Sequence, residues 1–167
     1  IAALAAGNQP SLQKATITMN AALDINNHLT LNGGTLDVSS SNYGVTVGGS
    51  FLNNGGVLNA RKGTITLDGT SAGLELLTGG QRFYNLTING AGSTYNTRDR
   101  LTASGTLALT NGTLDASGSY VVRAGTVNQT SGTFTPRAGT LVLTSGADQT
   151  ATITSTLNTL RIEDSTE

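Results

Sequence analysis

The acidic side chains are the first place to look for chemistry in this sequence, because paired carboxylates drive glycoside hydrolysis. Asp37 and Asp115 end the same motif, Gly-Thr-Leu-Asp, at residues 34–37 and 112–115. Four turns of a repeated structure would separate them by about 20 Å, too far for an acid and base on one bond. We expect both to accept backbone hydrogen bonds at turns. Four further carboxylates show no convergent spacing either: Asp68, Glu75, Asp99 and Asp148. The sequence therefore predicts a protein that is not an enzyme.

Metal binding is the second chemistry that the acidic turns suggest. Calcium-loaded solenoids use Gly-Gly-x-Gly-x-Asp repeats, whereas residues 33–37 lack the third glycine and place Asp37 one residue early. The single histidine, His28, is expected at a solvated strand edge, and the chain has no cysteine for a thiolate site or a disulfide. We predict no catalytic, cofactor-binding or metal-binding residue, with calcium at the Asp-containing turns as the alternative.

Glycan binding through threonine and tyrosine side chains on an outer face is the third chemistry that the sequence suggests. Threonines flank an apolar residue at Thr16 and Thr18 and again at Thr64 and Thr66, as an outward-facing column would require. The β-propensity of threonine explains this enrichment without a ligand. There is no tryptophan to stack on sugars, but four tyrosines could contribute: Tyr43, Tyr84, Tyr95 and Tyr120.

The elements that would position these residues are duplicated. The motif Gly-Thr-Ile-Thr-Leu at 63–67 returns as Gly-Thr-Leu-Val-Leu at 139–143. In the same alignment Arg137 is the counterpart of Arg61, and Ile162 is the counterpart of Ile88. Such self-similarity is typical of repeat architectures, in which each unit buries its inner face by stacking on its neighbours.

A shorter period of apolar triplets runs inside each large repeat. Their last residues lie 14 to 21 positions apart, close to one coil of a solenoid each. The triplets begin at Leu29, Val45, Ile65, Leu86, Leu107, Val121, Leu141 and Leu160. Alternation in an extended strand points the first and third residues inward and the middle residue outward. Counting one triplet per coil predicts four coils per large repeat.

We therefore predict an all-β chain forming a single β-solenoid, or parallel β-helix, of about eight coils in two large repeats of about 76 residues. The solenoid is expected over 15–167, with repeat one at about 27–90 and repeat two at about 105–164. Residues 1–14 are expected to form an N-terminal segment, with a cap or an inter-subunit contact as its expected role. A β-sandwich with Asn-Gly hairpins is the alternative, but it gives no reason for a regular coil length.

One triplet departs from this pattern, because Arg123 would fall on an inward position. Burying an unpaired guanidinium is costly. We expect the strand to be shifted by one residue, with Tyr120 and Val122 facing inward; the alternative is that Arg123 lies at a corner.

Composition excludes several functional classes. Only 11% of the residues are charged and the formal net charge is −1, which leaves no electrostatic footprint for nucleic acid or an anionic membrane. The sequence contains no run of eighteen apolar residues, the length that a bilayer-spanning helix needs. The chain starts at Ile1 without methionine, which suggests a processed or excised piece, and no C-terminal cap is recognisable.

The motifs at 83–90, Phe-Tyr-Asn-Leu-Thr-Ile-Asn-Gly, and at 105–115 resemble the repeats of bacterial autotransporter-passenger and filamentous-haemagglutinin-like β-solenoid adhesins. The resemblance covers about residues 15–162. It implies a cell-surface or extracellular fibre with roles in adhesion, biofilm or sheath formation. It transfers no catalytic residue.

Uncapped solenoid ends predict a self-assembling protein, because an open strand edge recruits another strand. Head-to-tail stacking does not close and gives a filament, here with roughly 40 Å of rise per subunit. We predict a structural extracellular homopolymer, with an adhesin segment that binds glycans or cell surfaces as the alternative. The predicted subunit contacts are Ile17, Leu23 and Ile25 at one end and Leu157, Leu160 and Ile162 at the other.

Overall fold

The computed structural model describes residues 2–4, 11–12, 15–145 and 150–164, with side chains over 15–144 and 150–163. This part of the chain is all-β, and its strands pair in parallel. The strands are β1 (Ala2–Leu4), β2 (Ser11–Leu12), β3 (Thr16–Thr18), β4 (Leu23–Ile25), β5 (Leu29–Leu31), β6 (Thr35–Asp37), β7 (Val45–Val47), β8 (Phe51–Asn53), β9 (Val57–Asn59), β10 (Thr64–Leu67), β11 (Leu74–Leu77), β12 (Asn85–Thr97), β13 (Leu101–Asp115), β14 (Val122–Gln129), β15 (Thr133–Thr135), β16 (Thr140–Ser145), β17 (Ala151–Thr152) and β18 (Thr159–Asp164).

A regular turn contains three strands, and most strands pair with their counterpart one turn later. On the first face, β4 pairs with β7 and β7 with β10. On the second face, β5 pairs with β8 and β8 with β11. On the third face, β3 pairs with β6 and β6 with β9. The long strands β12, β13 and β14 bend around corners and contribute to two or three faces each. The predicted β-solenoid is thus confirmed.

The predicted N-terminal segment, residues 1–14, is described in part. Its strands β1 and β2 pair with β4 and β5 and so extend the first and second faces. The other residues of this segment lie outside the described ranges.

The solenoid winds through about seven turns, slightly fewer than expected. Eight strands or strand segments succeed one another on the first face, from β1 to β17. The sequence-based count assigned all the triplets to one column, but they belong to three. Thr30 lies on the second face, Thr46 on the first and Val142 on the third.

The large repeat does not contain a whole number of turns. From β6 to its counterpart at residues 113–115, the chain passes through eleven strand positions, which is three and two-thirds turns. Consequently β6 lies on the third face, whereas 113–115 lies on the second. Equivalent residues of the two repeats are rotated by one face.

A continuous apolar core runs along the axis, because the first and third residues of the triplets point inward as predicted. Leu29 and Leu31 are buried, while Thr30 between them is half-buried. Phe51 and Phe83 meet edge to face inside, with ring centroids 5.1 Å apart. Buried amides close two corners: Asn53 Nδ2 donates to the Gly56 carbonyl and Gln129 Nε2 to the Gly132 carbonyl.

The irregular triplet at 121–123 is shifted by one residue, as expected. Val122 is fully buried and Arg123 faces outward. The inward placement of Tyr120 was wrong, since this side chain is 38% exposed. The chain turns at Gly118 and Ser119, both with positive φ, and this turn directs the ring outward.

Candidate functional site

The C-terminal end of the described solenoid exposes side chains that point inward. In β18, which pairs only with β16 among the described strands, Leu160 stacks in register on Leu141 and Ile162 on Leu143. Leu160 is 47% exposed and Ile162 is 71% exposed, whereas Leu141 and Leu143 are buried. Leu157, also a predicted contact, is half-buried against the core. The open interior of the solenoid is thus presented at this end.

The N-terminal end has a smaller exposed patch than the sequence suggested. Ile17 lies in β3, which pairs only with β6 among the described strands, and is 44% exposed. Ile25 is 1% exposed, because β4 lies between β1 and β7. Leu23 in the same strand is half-buried. Of the three predicted contacts at this end, Ile17 is the one that presents its side chain to solvent.

A pair of Asp–Arg clamps provides the best-defined charged contacts. Arg61 Nε and Nη2 donate to the two carboxylate oxygens of Asp37, at 2.6 and 2.7 Å. Arg137 binds Asp115 in the same fork, at 2.9 and 2.5 Å. Both arginines have positive φ, 45° and 54°. Because the second clamp is the counterpart of the first in the other repeat, we interpret the clamp as part of the repeated framework.

The hydrogen bonds from Arg61 hold the pKa of Asp37 at about 2, below its ordinary value of 3.8. The backbone N–H of Ser39 also donates to Asp37, at 2.8 Å. The prediction that Asp37 serves a turn is therefore confirmed. The arginine partners were missed, because the stacking of successive turns brings together residues 24 positions apart.

Two serine- and tyrosine-containing loops stand beside the clamps, at residues 38–44 and 116–121. Lys62 N donates to Asn42 Oδ1 of the first loop, and Ala138 N to Ser119 Oγ of the second. Tyr43 is half-buried against the core, whereas Tyr120 is exposed. Each loop is held by a hydrogen bond to the turn after it. Because the two repeats are rotated by one face, the two loops point in different directions.

The remaining candidate residues serve local structure. Asp99 accepts hydrogen bonds from Thr78 N and Oγ1 and from Gly80 N, and Glu75 pairs with Arg98. Burial raises the pKa of Asp68, with a contribution from Asp24. Asp148 lies outside the described residues. Within the described ranges, no three His, Cys, Asp or Glu side chains gather as a metal site would require.

His28 is not a solvated edge residue as the sequence suggested. Its Nδ1 accepts a 2.8 Å hydrogen bond from Ser50 N on the following turn, and the residue is half-buried. The imidazole therefore joins two turns at a corner. No helix in the described ranges is long and apolar enough to cross a membrane.

An arginine pair covers the third face near the C-terminal end. Arg123 and Arg161 flank Val142 in register and both form ion pairs with Glu163. Val142, although it faces outward, is fully buried beneath them. This arrangement ties the last described turn to the turns below it.

No known protein family, curated protein or solved structure matches this chain. Its function must therefore be inferred from its residues and their geometry.

Proposed function

We propose that this chain is a structural β-solenoid unit that stacks head to tail on copies of itself into a filament, or forms one segment of an extracellular surface fibre. The observation that carries the proposal is the exposure of inward-pointing apolar side chains at both ends of the described solenoid. Ile17 lies at one end, and Leu160 and Ile162 lie at the other.

The two halves of the chain indicate what would cover the C-terminal end. In the inter-repeat seam, defined as residues 86–88 and the next-turn strand 107–109, Leu86 pairs with Leu107 and Ile88 with Leu109. Leu160 and Ile162 are the counterparts of Leu86 and Ile88 in the second repeat. A further turn of the same kind would bury them by the same stacking.

The strand edges supply hydrogen bonds in the same direction. The terminal strands of the third face, β3 and β18, each have one paired edge and one unpaired edge among the described residues. Because all strands are parallel, an added copy would stack in the same orientation and leave the same kind of edge behind it. Such a heterologous contact does not close, which favours filaments over dimers.

Electron microscopy of the purified chain at high concentration tests the proposal. We expect filaments with a subunit rise of about 34 to 38 Å, from seven to eight strand spacings. Ile162→Asp should abolish them, since it places an unpaired carboxylate in the apolar joint. The middle turns should remain folded, as judged by circular dichroism.

Val57→Asp is the matched control, because Val57 is an exposed apolar residue, at 42%, on the outer surface of β9. This variant should still form filaments. A wild-type chain that stays monomeric at high concentration, or an Ile162→Asp variant with normal filaments, would refute end-to-end stacking. Loss of filaments in both variants would indicate lateral assembly instead.

A further inference from the structure

The third face is interrupted near the middle of the solenoid. Its ladder runs from β3 through β6 to β9 and stops. One turn later, Phe83 forms an isolated bridge with Ala103, and the ladder resumes in β13 and β14. Between β9 and Phe83, Leu58 N donates to the Gln81 side-chain oxygen at 3.3 Å. A side chain thus substitutes here for the backbone pairing of a continuous sheet.

An open groove of about 480 Å³ lies at this interruption. Three successive turns contribute its walls, and the lining residues are Leu58, Asn59, Ala60, Arg61, Arg82, Phe83, Tyr84 and Ser104. Leu58, Ala60 and Phe83 form a buried apolar floor. Alternation about the inward-pointing Phe83 places Arg82 and Tyr84 on the outer surface.

Of the two arginines that line the groove, Arg82 has no charged partner within the described part of the chain. Arg82 is exposed and has no hydrogen-bond or ion-pair partner among the described residues. Arg61 beside it directs Nε and Nη2 to Asp37, and its side chain remains 45% exposed. The groove therefore contains one arginine free to bind a carboxylate or sulfate as a fork, the geometry that a guanidinium favours.

Tyr84 supplies a fixed aromatic surface next to Arg82. The ring is half-buried and lies against the core. Its Cε1 comes so close to Gly105 that a Cβ at that position would lie 3.0 Å away. The absence of a side chain at Gly105 leaves room for the ring in this position. A preorganised aromatic ring beside a cation and exposed polar side chains suits a sugar that carries an acidic group.

The second repeat has an open groove of about 530 Å³ at the corresponding place, where Phe134 N donates to the Ser155 hydroxyl as Leu58 N does to Gln81. This second groove lacks the free arginine and the tyrosine of the first. The alignment that matches Ile162 to Ile88 places Thr156 at the position of Arg82 and Asn158 at that of Tyr84. Asn158 Nδ2 donates to the carbonyls of Ala138 and Gly139 and closes onto its own chain. The clamp arginine is present in both repeats, whereas Arg82 and Tyr84 are additions to the first.

We propose that the groove at the third-face interruption binds a carboxylated or sulfated sugar unit, with Arg82 holding the acidic group and Tyr84 lying against the sugar ring. Asn59 and Ser104, both exposed, line the same groove; the side chain of Asn59 also binds Asp37, and Ser104 Oγ donates to the Phe83 carbonyl. This site is on the side of the solenoid and is independent of end-to-end stacking.

Titration calorimetry tests this site with three probes: oligogalacturonate, a heparin-derived oligosaccharide and a neutral oligosaccharide of similar length. We expect at least one acidic probe to bind and the neutral one to bind at least about tenfold more weakly. Arg82→Gln should weaken binding by about tenfold or more, and Tyr84→Ala by a similar factor, because each removes one of the two principal contacts.

Arg100→Gln is the matched control, since Arg100 is exposed, does not line the groove and has no side-chain partner among the described residues. It should leave binding within about twofold of the wild type. If Arg82→Gln and Arg100→Gln weaken binding of the acidic probe equally, the binding is general charge attraction, and the proposed site is overturned. No binding of either acidic probe, or binding of the neutral probe with the same affinity, would also overturn it. Arg82→Gln should form filaments like the wild type.

Discussion

The inter-repeat seam and the C-terminal strand present the same pattern in two environments. Ile88 is completely buried beneath the next turn, whereas its counterpart Ile162 is 71% exposed. Leu86 and Leu160 differ in the same way, at 0% and 47% exposure. The local strand geometry is shared, so burial in this molecule is conferred by the following turn. An apolar residue in a solenoid stabilises the fold only where a neighbour covers it.

Alanine substitutions at the two positions should show the largest contrast. Ile88→Ala should lower the free energy of unfolding by about 3 to 4 kcal/mol, because it leaves a cavity in a closed core. Ile162→Ala should cost less than about 1 kcal/mol in dilute, unassembled protein, since its side chain is largely solvated. Urea denaturation measures both changes. Equal losses would mean that the C-terminal strand is covered in solution.

The N-terminal side offers a second pair, Tyr95 and Ile17. They occupy equivalent positions, because Ile17 pairs with Leu36 and Tyr95 with Leu114, the leucines of the two Gly-Thr-Leu-Asp motifs. Tyr95 is fully buried, and its hydroxyl accepts a 2.9 Å hydrogen bond from Gly69 N. Tyr95→Phe should cost about 1 to 3 kcal/mol, because it leaves that buried N–H without its partner. Ile17→Val at the exposed position should be nearly neutral. The comparison fails if Ile17→Val is the more destabilising change in urea.

Alkaline pH sharpens the same comparison. Burial raises the pKa of Tyr95 to about 12, above its ordinary value of 10. A group whose pKa is raised by folding disfavours the folded state once it must ionise, so this contribution is intact below pH 10 and is lost as pH rises through 12. Wild-type stability should therefore fall more steeply over this interval than that of Tyr95→Phe. Parallel pH profiles of unfolding would contradict the buried environment of the hydroxyl.

The clamps should give the smallest effect, because their arginines are about half exposed. In Arg61→Gln the pKa of Asp37 should rise from about 2 toward 3.8, as the charged donor is lost. The contribution of this carboxylate is present above pH 3.8 in the wild type and is lost as pH falls through 2. A carboxyl NMR titration of Asp37 measures the shift. Arg137→Gln, the matched change in the other repeat, should leave the Asp37 titration unchanged.

Local pattern predicted the strands well, because alternation about Thr30 or Thr66 depends on neighbouring residues alone. It did not predict how strands group into turns. Short strands such as β9 lack the apolar triplet. The sequence-based coil count, which took one triplet per coil, therefore treated strands of three faces as one series. Contacts between turns were also invisible: the Arg61–Asp37 pair and the His28–Ser50 bond join residues 24 and 22 positions apart. These depend on register, which the duplication reveals only approximately.

Eleven strand positions per repeat, with three per turn, give the surface of this protein the symmetry of a screw. The loops bearing Tyr43 and Tyr120 point in directions a third of a circumference apart, so a flat partner engages one of them at a time. In a longer array of such repeats, the same loop would return to the same side only after three repeats, or eleven turns, a distance of about 53 Å. The number of equivalent loops that contact a flat surface is then one third of the number of repeats. A partner that winds around the solenoid could contact all of them.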